Sequence, residues 1–181
     1  MMLQTLITSK TRIKLMLRFF LNSSSTGYLR GLGTEFGDST NAIRLELNRF
    51  EEAGLLEAHT VGPRKVFQAN TRHPLFDDIN RIMRKYTGLD AIVDSVVNQL
   101  GEPREVYLMG DLAKGIDSPD ISLIIVGELI DLDYLENLVA KAQKVISRNI
   151  KYIVLTPNEF KTHYPHFDQE KLLPLWGKTD P

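Results

Sequence analysis

Four sets of residues in this sequence have types and spacings that could do chemistry. The first is Thr40, Asn41, Arg44 and Asn48, on the polar side of a stretch whose apolar positions are Ile43, Leu47 and Phe50. Arginine pairs bidentately with a guanine edge and asparagine with an adenine edge, so a helix presenting them could read a major groove. The second is Arg64 and Lys65, beside a Gly62-Pro63 turn, placed to meet backbone phosphates. The third is Gly110, Asp111, Lys114, Asp120 and Ser122: a glycine turn, two carboxylates, a cation and a hydroxyl. Asp117 also lies near, but its i, i+3 spacing from Asp120 does not put both on one face of a strand. The fourth is His163 and His166, with Glu159 one helical turn before His163. That spacing could hold a metal, but no metal motif surrounds it and a surface cluster is expected.

Each set needs an element to position it. Ser9 is a candidate N-cap for a helix with Ile13, Leu17, Phe20 and Leu21 inward, ending at the polar break Asn22–Ser25. Tyr28–Phe36 reads as a second helix with Leu29, Leu32 and Phe36 inward, weakened by Gly31 and Gly33 and closed by Gly37. Ser39 caps a third helix that stops at Ala53-Gly54. Residues 55–60 and 65–69 flank the turn 61–64 as a hairpin. Two amphipathic helices follow over 74–101, broken at Thr87-Gly88; the first suits a linker or a dimer seam. From Glu105 the pattern changes. Val106–Met109, Ile121–Val126 and Ile150–Leu155 are short apolar runs suited to buried strands, with a helix over Asp133–Ile146. Thr156-Pro157-Asn158-Glu159 opens a last helix with a capping box. Trp176 is expected to anchor the C-terminal tail.

Three helices and a hairpin, with a tight turn between the second and third helix, form the pattern of a winged helix-turn-helix. Ser39-Thr40-Asn41-Ala42-Ile43 through Glu51-Glu52-Ala53-Gly54-Leu55-Leu56 resembles the recognition helix of ArsR/MarR-like regulators and its passage into the wing. That resemblance covers residues 1–73 and implies double-stranded DNA as partner and a homodimer.

Gly110-Asp111-Leu112-Ala113-Lys114-Gly115, followed by Ser118-Pro119-Asp120-Ile121-Ser122-Leu123, resembles the signature of minimal nucleotidyltransferases of the polymerase-β type. The resemblance covers roughly residues 88–170. It implies a strand-end Gly-Ser turn that cradles phosphates and three carboxylates that hold two Mg²⁺ ions. This chain departs from that pattern. Asp111 stands in place of the serine, Ser122 in place of the second carboxylate, and Asn149, Lys151 and Ile153 at the candidate positions of the third. One Asp cannot hold a metal pair, because hard cations need several oxygen ligands. Lys114 keeps the charge of the family's arginine without its fork. A degenerate, non-catalytic site is therefore expected, with no catalytic residue, no metal and no cofactor. Mg²⁺ and a nucleotide enter only in the alternative of an active transferase.

The absence of cysteine excludes disulfides and thiolate zinc sites and fits a cytoplasmic protein. No stretch reads as a membrane span, since Leu15–Leu21 is interrupted by Arg18. Residues 1–73 carry net charge +4 and residues 74–181 net charge −5, which suggests two units with different partners. Against DNA, Glu46, Glu51 and Glu52 make the third helix slightly acidic despite Arg44 and Arg49. Lys10, Arg12, Lys14 and Arg18 are expected mainly to solvate the first helix.

The expectation is an α+β chain: a DNA-binding domain over 1–73, linking or sheet-covering helices over 74–101, and a nucleotidyltransferase-like domain with a small mixed sheet over 102–181. It would act as a transcriptional regulator whose second domain dimerises or senses a protein or nucleotide effector. Beside the active transferase, the other alternative is an antitoxin-like interaction module.

Overall fold

The computed structural model describes residues 2–100, 103–166 and 172–177. It is α+β, with helices and two small sheets. The chain divides into two compact units, Met1–Tyr86 and Thr87–Pro181. The division falls inside the stretch 74–101, so the first of its two helices belongs almost wholly to the front unit and the second to the back unit.

The front unit opens with α1 (Met2–Leu6) and α2 (Lys10–Met16). Ser9 caps α2, its Oγ accepting from the Arg12 N–H at 3.1 Å. The helix continues as a wider π-helical stretch, Leu17–Leu21. That stretch buries Leu17, Phe19, Phe20 and Leu21 together, more residues than one narrow stripe at 3.6 spacing holds. A short strand, β1 (Thr26–Tyr28), then leads into α3 (Leu29–Phe36). Only Leu32 of the three expected inward residues is fully buried. Leu29 and Phe36, at the two ends of the helix, are half-buried.

Ser39 Oγ accepts from the Ala42 N–H at 3.2 Å and starts α4 (Thr40–Glu52), whose Ile43, Leu47 and Phe50 are buried. β2 (Leu56–Val61) and β3 (Arg64–Ala69) form the hairpin over Gly62-Pro63. The sheet order is β1-β3-β2, antiparallel throughout. α5 (Phe76–Thr87) packs back on this unit. The Phe76 ring lies 6.0 Å from that of Phe20, and Asn80 Nδ2 donates to the Phe20 carbonyl at 2.6 Å.

The back unit holds α6 (Leu89–Ser95), β4 (Glu105–Met109), β5 (Asp120–Val126), α7 (Leu132–Val145), β6 (Asn149–Leu155), α8 (Pro157–His163) and β7 (Leu173–Gly177). The sheet order is β6-β5-β4-β7. β5 and β6 are parallel and joined through α7; β4 is antiparallel to both its neighbours. The run Ile121, Leu123, Ile124, Ile125 and Val126 is buried, as a central strand requires. Trp176 is part of β7, half-buried and paired with Val106 in the ladder. The expected domain boundary at residue 101 lies outside the described residues.

Candidate functional site

In the front unit, α4, the start of α3 and the hairpin turn enclose an open groove of about 760 Å³. Arg44 and Asn48 enter it from α4, Arg64 and Lys65 from β3, and Arg30 from α3. Its floor is apolar, with Leu47 and Phe67 among the lining residues. Four of the six residues singled out from the sequence for DNA contact therefore meet at one groove. Thr40 and Asn41 are exposed at the start of α4 and do not line it.

Three lining residues escaped the sequence reading, Tyr28, Arg30 and Phe67. Tyr28 is the last residue of β1, opposite Val66 of β3. Its ring meets the guanidinium of Arg64, whose Cζ is 4.6 Å from the ring centroid. This cation–π contact holds a hairpin arginine beside the helix face. Gly31 makes room for the ring on its other side, since a Cβ at that position would lie 2.9 Å from Tyr28 Cε1 and Cζ. The glycine that weakens α3 as a sequence pattern is the one that seats Tyr28.

The charge balance of α4 differs from the sequence expectation. Glu46 is not on the solvated face: it is 5% exposed and faces α2. Its Oε2 accepts from Arg12 Nε at 2.9 Å, and its Oε1 lies 3.3 Å from Arg49 Nη1. Burial alone would raise the Glu46 carboxyl pKa; hydrogen bonds from Arg12 and Ser9 and the charges of Arg12 and Arg49 outweigh it, and the net direction is down. Glu51 pairs with Lys65 at 2.6 Å, which partly neutralises that lysine in the groove. Three of the four basic residues of the first helix are structural too, while Lys10 is exposed. Arg12 holds Glu46, Lys14 pairs with Asp38 at 2.9 Å, and Arg18 lies 3.6 Å from Glu35.

In the back unit, Gly110, at φ +77°, turns the chain out of β4, and Asp111 to Gly115 make a tight helical turn. Asp111 is exposed, with Lys114 Nζ 3.7 Å from its Oδ1. Asp120 begins β5, and Ser122 follows two residues on, on the same face of the strand. The parallel register sets Asp120 opposite Asn149 and Ser122 opposite Lys151. Lys151 Nζ donates to Asp120 Oδ2 at 2.6 Å and Asn149 Nδ2 to Oδ1 at 3.0 Å. These two bonds, Lys151 first, hold the Asp120 carboxyl below the usual carboxylate range. Asp117 pairs with Arg148 at 2.8 Å, and Arg148 also donates to the Ser118 carbonyl, so that carboxylate is held on the loop before β5.

Among the described residues no group of three or more His, Asp or Glu side chains is arranged to hold a metal ion. Glu159 is engaged in the capping box of α8, where it accepts from the Thr156 N–H at 2.8 Å and hydroxyl at 2.8 Å. His163 is exposed, and the side chain of His166 lies outside the described residues. Among the described residues no helix is long and apolar enough to cross a membrane.

No protein-family model matches the chain, and no curated protein matches it. Among solved structures, the chain is similar to one described as a crystal structure of a mutant of the toxin–antitoxin MntA–HpeT. The TM-score is 0.40 at 15% identity, over 50% of this chain and 73% of that one.

Proposed function

We propose that the front unit is a winged helix-turn-helix that binds double-stranded DNA, and that the chain is a transcriptional regulator. One observation carries this reading. Arg44 and Asn48 on the exposed side of α4 share a groove with Arg64 of the hairpin and Arg30 of α3, while the acid in the middle of α4 is turned inward. In this reading α4 enters the major groove, with Thr40, Asn41, Arg44 and Asn48 toward base edges. Arg64 and Lys65 act as the wing and contact phosphates. Lys65 contributes less than Arg64, because Glu51 already engages it. A two-fold pair of chains reads two half-sites.

The back unit is then a nucleotidyltransferase-like fold that serves dimerisation or effector sensing rather than catalysis. The support is chemical. Asp120, with Gly110, Asp111, Lys114 and Ser122 near it in sequence, has its negative charge answered by the Lys151 ammonium. A transferase that uses Mg²⁺ and a nucleotide would have to displace that lysine first.

The test is a pull-down of genomic fragments by the full chain, read by sequencing at low and high salt. Enrichment of a few sites that survives the higher salt is expected. On such a site, Arg44→Ala should cost about 1–3 kcal/mol and relax preference at one base. Arg64→Ala should weaken binding to all sequences alike and reduce the salt slope by about one. Bulk, salt-sensitive binding alone, or full affinity in Arg44→Ala, would sink the reading.

A further inference from the structure

α5 carries two apolar stripes. Phe76 and Asn80 face the front unit's own core, and Met83, on the same side one turn further, is fully buried. A second stripe, Leu75, Ile79, Ile82 and Tyr86, recurs at i, i+4, i+7 and i+11, about 100° round the helix. Leu75 joins it because its carbonyl accepts from the Ile79 N–H at 3.0 Å, the first rung of the helix. Ile79 and Tyr86 are half-buried, but Leu75 is 52% and Ile82 43% exposed. A stripe at alternating steps of four and three is a coiled-coil seam.

The charges beside the stripe select its partner. With Ile79 and Tyr86 at heptad position a and Leu75 and Ile82 at d, Asp78 and Lys85 both fall at g, on the side away from the core. Helices packed antiparallel set g against g. Two copies of α5 in that arrangement bring Asp78 of each beside Lys85 of the other. Asp78 also pairs with Arg81 one turn on, at 2.7 Å, but both side chains are more than half exposed, so the contact between copies competes only with a weak surface pair. The same two-fold sets Ile79 against Ile82 and Leu75 against Tyr86. A two-fold interface must be self-complementary, and this patch is so in both apolar size and charge. A parallel pair would set Asp78 beside Met83 instead, with no charge to meet.

We infer that the outer stripe of α5 is the docking surface for a second copy of this chain, packed antiparallel with Asp78 of each chain beside Lys85 of the other. The proposal deepens the reading of the front unit as one half of a two-fold DNA reader, but its evidence does not involve DNA.

The experiment is sedimentation velocity of the full chain over a concentration series, with circular dichroism to verify folding of each variant. The wild type should dimerise and Ile82→Glu should sediment as a folded monomer. Asp78→Lys alone and Lys85→Glu alone each put like charges at both g contacts, and should weaken dimerisation on the order of tenfold at low salt. An equimolar mixture of those two variants should recover the wild-type affinity as a heterodimer. Each g contact then joins opposite charges again: the two substituted positions face each other at one, and the native Lys85 and Asp78 face each other at the other. A monomeric wild type, a dimer indifferent to Ile82→Glu, or a mixture no tighter than its components would overturn the proposal. Failure of the DNA reading would look different: dimers intact, and no site-specific binding by either dimer or monomer.

Discussion

The ammonium of Lys151 and the carboxylate of Asp120 meet at 2.6 Å across two parallel strands, with one residue pair of the ladder, Asp120 opposite Asn149, fixing their approach. The lysine is thus an internal counter-ion. Asp120 should titrate below the ordinary carboxylate range, and Lys151→Ala should move it up toward that range. The sign follows from the lowered folded-state pKa. The pair's contribution to stability is present at neutral pH and is lost as pH falls through the ordinary value to the lowered one. Carboxyl carbon shifts followed by NMR during an acid titration read this directly. An Asp120 titration unchanged by Lys151→Ala would show that the ion pair is not held in solution.

Gly31→Ala separates stability from function in the groove. Alanine favours a helix over glycine by about 0.5–1 kcal/mol. The new Cβ, however, would lie 2.9 Å from the Tyr28 ring, which must swing away from its place under Arg64. The thermal midpoint should stay within a few degrees of wild type while DNA affinity falls. Fluorescence anisotropy with a selected site measures the second effect. Undiminished binding would mean that Arg64 does not need Tyr28 to be placed.

Caps and apolar periods were legible in the residues. Ser9, Ser39 and Thr156 each sit where a hydroxyl before an apolar repeat predicts, because a cap involves only one side chain and the next turn. What a sequence does not display is the partner on another element. Lys151 was visible only as a missing carboxylate; its role as the counter-ion of Asp120 depends on strand register. Glu46 was visible as an acid on α4, but the groups that bury it are on α2. β1 was hidden in a short polar run, since three residues carry no alternation. β7 was hidden by Pro174, which argues against a central strand and is tolerated here because β7 is an edge.

Tyr107 supplies a test at the alkaline end. Its ring stacks on Phe160 at 5.1 Å, and its hydroxyl donates to Glu105 Oε2 at 3.1 Å. Burial, with the Glu105 charge and hydrogen bond, pushes its pKa up to about 12. Unfolding releases it to the ordinary tyrosine value near 10. The folded state is therefore favoured below pH ~10 and loses that advantage as pH rises toward ~12. Tyrosinate absorbance of the wild type should show a late-titrating component that is missing in Tyr107→Phe. An identical titration in the two proteins would rule out its burial beside Glu105.

The Arg12–Glu46 pair ties the stability of the front unit to the charge of its proposed reading helix. Removing Arg12 leaves Glu46 buried with the Ser9 hydrogen bond and the charge of Arg49, and Arg49 is itself half exposed. Arg12→Ala should therefore cost about 1–3 kcal/mol, in the range for stranding a buried charged acceptor. Glu46→Gln keeps the shape and removes the charge, so the double variant should lose less than the sum of the two single ones. The net shift of Glu46 is downward, so its contribution is present above the ordinary carboxylate value and lost as pH falls through the lowered one. The gap between wild type and Arg12→Ala should then narrow in acid. Urea unfolding at neutral and acid pH measures both points. A gap that stays constant with pH would mean that Arg12 acts through packing alone, and that the acid of α4 is not neutralised from α2.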